Sequence, residues 1–190
     1  MKQEKLSNEE GQLLIKIARE NISTYLKGGE YSLSSDLPKI FNEKLGVFVT
    51  LSINSNLRGC IGYPEPYMEL INGLLDVSIA AAVEDPRFNP LSLEEFEKVK
   101  IEISVLTKPQ LVDVKSYHDY FNVLKVGRDG LIIENGYHRG LLLPQVPVEQ
   151  NWNLNEFLEG LCYKAGLNND AWKYEDTKIY SFQAQIFEEE

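Results

Sequence analysis

Apolar positions recur along this chain with two different periods, and the switch between them marks out the predicted elements. Leu14, Ile17, Ala18, Ile22 and Tyr25 fall on one side of a helix. The run Ser7-Asn8-Glu9-Glu10 opens that helix as a capping box, and Gly28-Gly29 stops it. The spacing then changes to two: Val47, Val49, Leu51 and Ile53 share a face, and β-branched residues enrich the run, so residues 47–53 read as a strand. Asn54-Ser55-Asn56 supplies turn chemistry, so the strand after it, 57–62, returns antiparallel as a hairpin. Pro64 and Pro66 end it. Residues 67–83 carry Leu70, Ile71, Leu74, Leu75, Ile79 and Ala82, the broad apolar surface of a well-buried helix. It breaks at Glu84-Asp85-Pro86-Arg87-Phe88, because a residue before proline avoids helical angles.

A third strand is expected over 99–106, with Ile101, Ile103 and Val105 on its core face and Glu102 and Ser104 on a wet or functional one. Beyond Lys108-Pro109 the elements shorten. Residues 116–121 read as a helical turn and 123–126 as a strand. Asp129-Gly130 reads as a hairpin turn, 131–134 as its return strand, and Asn135-Gly136 as a further turn before Leu141-Leu142-Leu143. Pro144-Gln145-Val146-Pro147 is extended and irregular. A helix over 153–165 places Leu154, Phe157, Leu158, Leu161 and Cys162 on one stripe and ends at Gly166. The last strand, 178–187, is expected to turn Tyr180, Phe182, Ala184 and Ile186 inward before the acidic tail 188–190. It is expected in one sheet with the first three strands.

The chain has 190 residues and is 43% hydrophobic, enough for one good core or two small subdomains. Its formal net charge of −10 argues against nucleic acid as a partner, since phosphate neutralisation needs clustered Lys and Arg. No apolar run is long enough to span a membrane, and the amino terminus is polar; with two distant cysteines, Cys60 and Cys162, this reads as a cytoplasmic protein. No His, Cys, Asp and Glu cluster has ligand spacing, so no metal site is expected, and no cofactor can be read from the chain. Gly127 and Gly130 are turn residues and form no phosphate cradle.

The chemistry concentrates in Leu57-Arg58-Gly59-Cys60-Ile61-Gly62. Period-2 geometry puts Arg58, Cys60 and Gly62 on one face, with the Arg58 and Cys60 Cβ atoms roughly 6 to 7 Å apart, close enough for the cation to favour a thiolate. Gly59 and Gly62 leave room for a backbone or ligand. Asp85 and Arg87 add a carboxylate and a second cation, or else form an ion pair that fixes the helix exit. The competing reading of Cys60 is a core cysteine in a strand that bends at its glycines. Cys162, on an apolar helix stripe, is expected in the core. His118 and His138, in polar surroundings, are expected at the surface, which leaves a Cys-His dyad poorly supported.

Several segments together resemble the AMMECR-one domain family, also called protein A of the AmmeMemoRadiSam system. They are Gly46-Val47-Phe48-Val49-Thr50-Leu51, the six residues 57–62, Asp85-Pro86-Arg87-Phe88 and Ile103-Ser104-Val105-Leu106. Gly140-Leu141-Leu142-Leu143-Pro144-Gln145-Val146, Glu149, Trp152 and Lys164-Ala165-Gly166-Leu167 complete the set. Tyr137-His138-Arg139, just before Gly140, depart from the pattern, and no role is carried over to His138. The resemblance implies an α+β fold of two lobes, with mainly antiparallel sheets, flanking helices and a cleft between the lobes. Lobe one is expected over 1–108 with 176–190, and lobe two over 109–175. It also implies a cytosolic protein encoded beside radical-SAM and Memo-like proteins, its expected partners, in a family without an assigned reaction. Two functions stay open. One is an enzyme or enzyme subunit that uses a Cys60 thiolate, with Arg58 as stabiliser and anion anchor. The other is a binding module for a small anion, a nucleotide base or a protein partner. In both, Gly59, Gly62, Asp85, Arg87, Pro144 and Gln145 frame the site.

Overall fold

The structure, a computed structural model, describes residues 5–189, so Glu190 of the expected acidic tail lies outside the described residues. It is an α+β protein with two four-stranded antiparallel sheets and flanking helices. The chain divides into two compact units, Met1–Leu106 with Gln185–Glu190 and Thr107–Ala184.

In the first unit, helix α1 (Asn8–Leu26) starts with the expected capping box: the Glu10 N–H donates to Ser7 Oγ at 3.2 Å and the Ser7 N–H to the Glu10 carboxylate at 2.7 Å. Strands β1 (Gly46–Ile53) and β2 (Asn56–Tyr63) form the predicted hairpin. Its two-residue turn holds Asn54 and Ser55 at φ of 51° and 64°, the left-handed pair that matches strand twist. Strand β3 (Lys100–Leu106) pairs antiparallel with the other side of β1, giving the order β2-β1-β3-β8 with β8 at Ala184–Glu188. One face of this sheet carries Val47, Val49, Leu51, Ile101 and Ile103, all buried, against α1 and helix α2 (Leu70–Val83). Tyr67, expected inside that helix, lies before it and is exposed.

In the second unit the order is β4-β7-β5-β6, with β4 at Gln110–Leu111, β5 at Gly130–Asn135, β6 at His138–Leu142 and β7 at Lys178–Phe182. Helix α6 (Leu154–Lys164) supplies Phe157, Leu158, Leu161 and Cys162 to its core, as the stripe predicted. Three expectations fail here, the first at Val146 and Pro147, expected extended, which begin the short helix α5 (Val146–Glu149) because a proline is tolerated in a first helical turn. Residues 123–126 are not a strand: Val123 ends the short helix α4 (Tyr120–Val123), and a turn follows. There Asp129 is buried and accepts the Lys125 N–H at 2.9 Å and the Arg128 guanidinium, so Asp129-Gly130 leads into β5 and closes no hairpin.

The last strand is also two strands. At Gln183 the chain leaves the ladder: its N–H donates to Thr107 Oγ1 at 2.8 Å and its carbonyl accepts the Thr107 N–H at 2.8 Å. Residues 178–182 therefore join the second sheet, contrary to the expected single sheet, and only 184–188 join the first three strands. The break also resets the facing. Ile179, Phe182 and Phe187 are buried, while Ile186, expected inward, is 58% exposed.

Candidate functional site

The face of the first sheet opposite its core carries the chemistry. Cys60 lies directly across from Thr50 on β1, and Thr50 directly across from Glu102 on β3, so three strands set a thiol, a hydroxyl and a carboxylate in one row. Cys60 Sγ and Thr50 Oγ1 are 3.2 Å apart. All three residues are half-buried. Glu102 has its pKa raised, first by burial and then by the charge of Glu188.

Strand β2 is a sheet edge, so outward backbone groups lack a ladder partner. At Cys60 the Asp85–Arg87 pair takes the place of a neighbouring strand. The Cys60 N–H donates to Asp85 Oδ2 at 2.8 Å, and Arg87 Nη2 donates to the Cys60 carbonyl at 3.3 Å. An outward-facing Cys60 backbone makes Cys60–Thr50 a non-hydrogen-bonded pair, the type that brings side chains closest. Asp85 is 4% exposed and accepts three more hydrogen bonds from Arg87: from its backbone N–H at 3.1 Å, Nε at 2.9 Å and Nη2 at 2.7 Å. The Arg87 side chain is chiefly what holds the Asp85 carboxyl far below the usual carboxylate range, and the Cys60 and Arg87 N–H groups add to it against the opposing effect of burial. Proline at 86 ends the helix so that these two side chains meet.

Contrary to the simple alternation expected, the β1–β2 ladder slips at Arg58, which has no partner between Leu57 opposite Ser52 and Gly59 opposite Leu51, and its charge is engaged elsewhere. Its Nε and Nη2 donate to the Glu95 carboxylate at 3.3 and 3.2 Å, and Nη2 also to the Asn89 carbonyl at 3.0 Å. Glu95 belongs to the short helix α3 (Leu93–Phe96), and its pKa is lowered first by Arg58. The Phe88 ring takes both guanidiniums, Arg58 at 5.7 Å and Arg87 at 5.6 Å from its centroid. Arg87, with a side chain 54% exposed against 14% for Arg58, is the more solvent-exposed cation of the two, and its pKa is raised first by its hydrogen bond to Asp85.

The two glycines serve packing. A Cβ on Gly59 would overlap the Ala81 carbonyl of α2, and one on Gly62 would overlap the Phe48 ring. Pro144 is buried and Gln145 exposed in the second unit, where they lead into the short helix α5 (Val146–Glu149). Cys162 is fully buried and its thiol pKa is raised by that burial. Both histidines are in the second unit: His138 Nδ1 lies 3.1 Å from the Ala165 carbonyl, and His118 stacks on Tyr117 at 4.1 Å. Among the described residues no group of His, Cys, Asp and Glu could hold a metal ion. Thr50, Phe88 and Glu95 carry the site's geometry without being marked as site residues by sequence, whereas the sequence places Glu102, a carboxylate alternating with isoleucines, on a wet or functional strand face.

Such an arrangement defines an α+β protein with a thiol set on a sheet face and its backbone fixed by an ion pair whose carboxylate is buried. The sequence profile of the AMMECR1 family matches residues 15–187, and the chain belongs to that family. A Methanococcus aeolicus protein is 55% identical over 188 residues, covering 98% of this chain and 94% of its own. A Methanocaldococcus jannaschii protein is 51% identical over 186 residues, covering 97% and 92%. The crystal structure of an uncharacterized protein from Pyrococcus horikoshii is similar with a TM-score of 0.82 at 48% identity, covering 97% of this chain and 94% of that one. No helix of the described residues is long and apolar enough to cross a membrane.

Proposed function

We propose that the chain is a cytosolic enzyme, or the substrate-handling subunit of one, whose reacting group is the Cys60 thiol, working in a pathway with a radical-SAM protein and a Memo-like protein. One observation carries the reading. The Cys60 backbone is held at both its N–H and its carbonyl by one ion pair, while Sγ meets the Thr50 hydroxyl on the opposite side of the sheet from the core. A nucleophile needs that combination of a fixed backbone and an unencumbered sulfur. In this reading Cys60 is the thiolate or covalent acceptor and Thr50 orients its proton. The half-exposed Arg87 anchors an anionic substrate group, a role the ion pair with Glu95 removes from Arg58.

A second reading rests on that same engagement of Arg58. With that cation held by Glu95 and lending nothing to a thiolate, the thiol contributes only its size, and the face serves as a binding module for a small anion, received by Arg87, a nucleotide base or a protein partner. Exposure of the purified protein to a cell-derived small-molecule fraction, followed by intact-mass analysis, tests the first reading. It predicts a mass increment on Cys60 that is absent from Cys60→Ser. If Cys60→Ala keeps full activity in the cell while Arg87→Ala abolishes it, the binding module stands instead.

A further inference from the structure

The second unit contains a groove of about 560 Å³, within the range of roughly 300–1,000 Å³ typical of small-ligand sites. It opens where two strands part. The ladder between β4 and β7 ends with the Val112 N–H donating to the Ile179 carbonyl at 2.8 Å. The chain after Val112 and the chain before Ile179 then line the groove from opposite sides. Among the described residues, the backbone groups of Asp113, Val114 and Lys115 make no hydrogen bond, so this wall presents donors and acceptors to whatever enters.

The floor is aromatic and incompletely satisfied. Tyr120 and Trp172 are buried there, and Tyr117 meets the Trp172 ring edge-on at 5.7 Å. The Trp172 indole N–H is a buried donor without a partner, a feature native interiors seldom leave unanswered. The mouth is cationic against the trend of the chain. Lys115, Lys173 and Lys178 line the groove with Asp113 and Glu175, three cations to two anions, in a protein with 19 Lys and Arg to 29 Asp and Glu. Lys173 Nζ sits 5.0 Å from the centroid of the Trp172 ring, so cation and aromatic surface converge.

We infer that this groove binds a planar, hydrogen-bonding ring that carries an anionic group, the chemistry of a mononucleotide. The ring stacks on Tyr117, which is 37% exposed beside the buried Trp172, its polar edge pairs with the free backbone of residues 113–115, and the lysines receive the anion. A single nucleotide fits where a polymer does not, because three lysines against two acidic residues line the groove of a protein whose net charge is −10. The site is independent of the Cys60 reading and lies wholly within the second unit.

Calorimetric titration of the full chain tests it, with the four common ribonucleoside 5′-monophosphates set against the matching nucleosides, ribose 5-phosphate and inorganic phosphate. At least one nucleotide is expected to bind saturably and about tenfold or more tighter than either of its halves. Lys115→Glu combined with Lys173→Glu is expected to weaken it by a further factor of about ten, and Tyr117→Ala to weaken it as well, whereas Lys16→Glu on α1 leaves it unchanged. In a nitrogen-15 spectrum the Trp172 indole signal should move on binding while that of Trp152 stays in place. The inference is overturned if none of the nucleotides saturates the protein below about 10 mM. It is equally overturned if ribose 5-phosphate or phosphate binds as tightly as a nucleotide, or if the folded lysine variants bind like the parent protein.

Discussion

Removing the two members of the Asp85–Arg87 pair in turn should have unequal consequences, because one is buried and the other half in water. Arg87→Ala leaves the Asp85 carboxylate, 2% exposed as a side chain, with the Cys60 N–H as its long-range donor. Breaking a buried pair so that a charge is stranded costs about 3–5 kcal/mol, and the surviving backbone donors bring the expectation to the low end, about 3 kcal/mol. Asp85→Ala strands nothing comparable, since solvent takes up a guanidinium that is 54% exposed. Its cost is the Cys60 and Arg87 N–H groups left without a charged acceptor, about 2 kcal/mol in all. For a chain of this length those values correspond to falls of roughly 6–12 °C and 4–8 °C in melting temperature, at about 2–4 °C per kcal/mol. The double variant should cost less than the sum of the singles. The pH dependence has a definite sign. The pair depresses the Asp85 pKa, so its stabilisation is complete above the unfolded value of about 3.9 and is lost as pH falls through the folded value below it. In Arg87→Ala the largest depressing cause is gone, and the deficit should shrink once pH falls below about 4 and the carboxyl takes up a proton. Denaturant unfolding followed by circular dichroism at pH 7 and at about pH 3, below the unfolded carboxyl pKa of about 3.9, measures all of this. Additive single variants, or a deficit in Arg87→Ala that does not change with pH, would refute the edge-capping account of this pair.

Three further outcomes follow from the same geometry. Gly59→Ala should destabilise by about 1–3 kcal/mol or more in thermal melts, because its methyl meets the Ala81 carbonyl of α2; a neutral result would mean that the helix is not held against β2 there. Arg58→Ala leaves Glu95, 43% exposed, to solvent and should cost about 1 kcal/mol, well short of the 2–5 kcal/mol expected for the core truncation Ile103→Ala; equal losses would make Arg58 a folding residue. Glu102→Gln should raise the melting temperature at neutral pH, since burial and Glu188 disfavour the charged form, and the gain should vanish below about pH 4, where both states are protonated. A Glu102→Gln variant that melts earlier at pH 7 would contradict the raised pKa.

The elements with strong periodicity were legible from the chain. A capping box, a period of two between turn residues and a broad apolar helix gave α1, the β1–β2 hairpin, α2, β3 and α6, because each buries one continuous face. The failures lie where one side chain redirects the backbone. Gln183 binds Thr107 and so splits a ten-residue alternation between two sheets, which no period could reveal. Asp129 answers Lys125 and Arg128 instead of closing a hairpin. At the site, period two put Arg58 and Cys60 on one side, but the ladder slips at Arg58, which an alternation cannot reveal; Asp85 and Arg87 were marked beside Cys60. The partner of Arg58 was hidden, because Glu95 lies 37 residues away and no local pattern connects them. Gly59 and Gly62 were noted as close-approach positions, and what approaches turned out to be α2 and Phe48.

The most direct measurement on the central claim is the alkylation rate of each cysteine in the native protein at neutral pH, read by peptide mass mapping. Cys60 stands beside Thr50 on a half-buried sheet face, and Cys162 is sealed in the core of the second unit with its thiol pKa raised. The account predicts that Cys60 is modified in the folded protein and Cys162 only after unfolding. Modification of both at one rate, or of Cys60 only in denaturant, would contradict a reacting thiol at Cys60 and return that residue to the core of a strand.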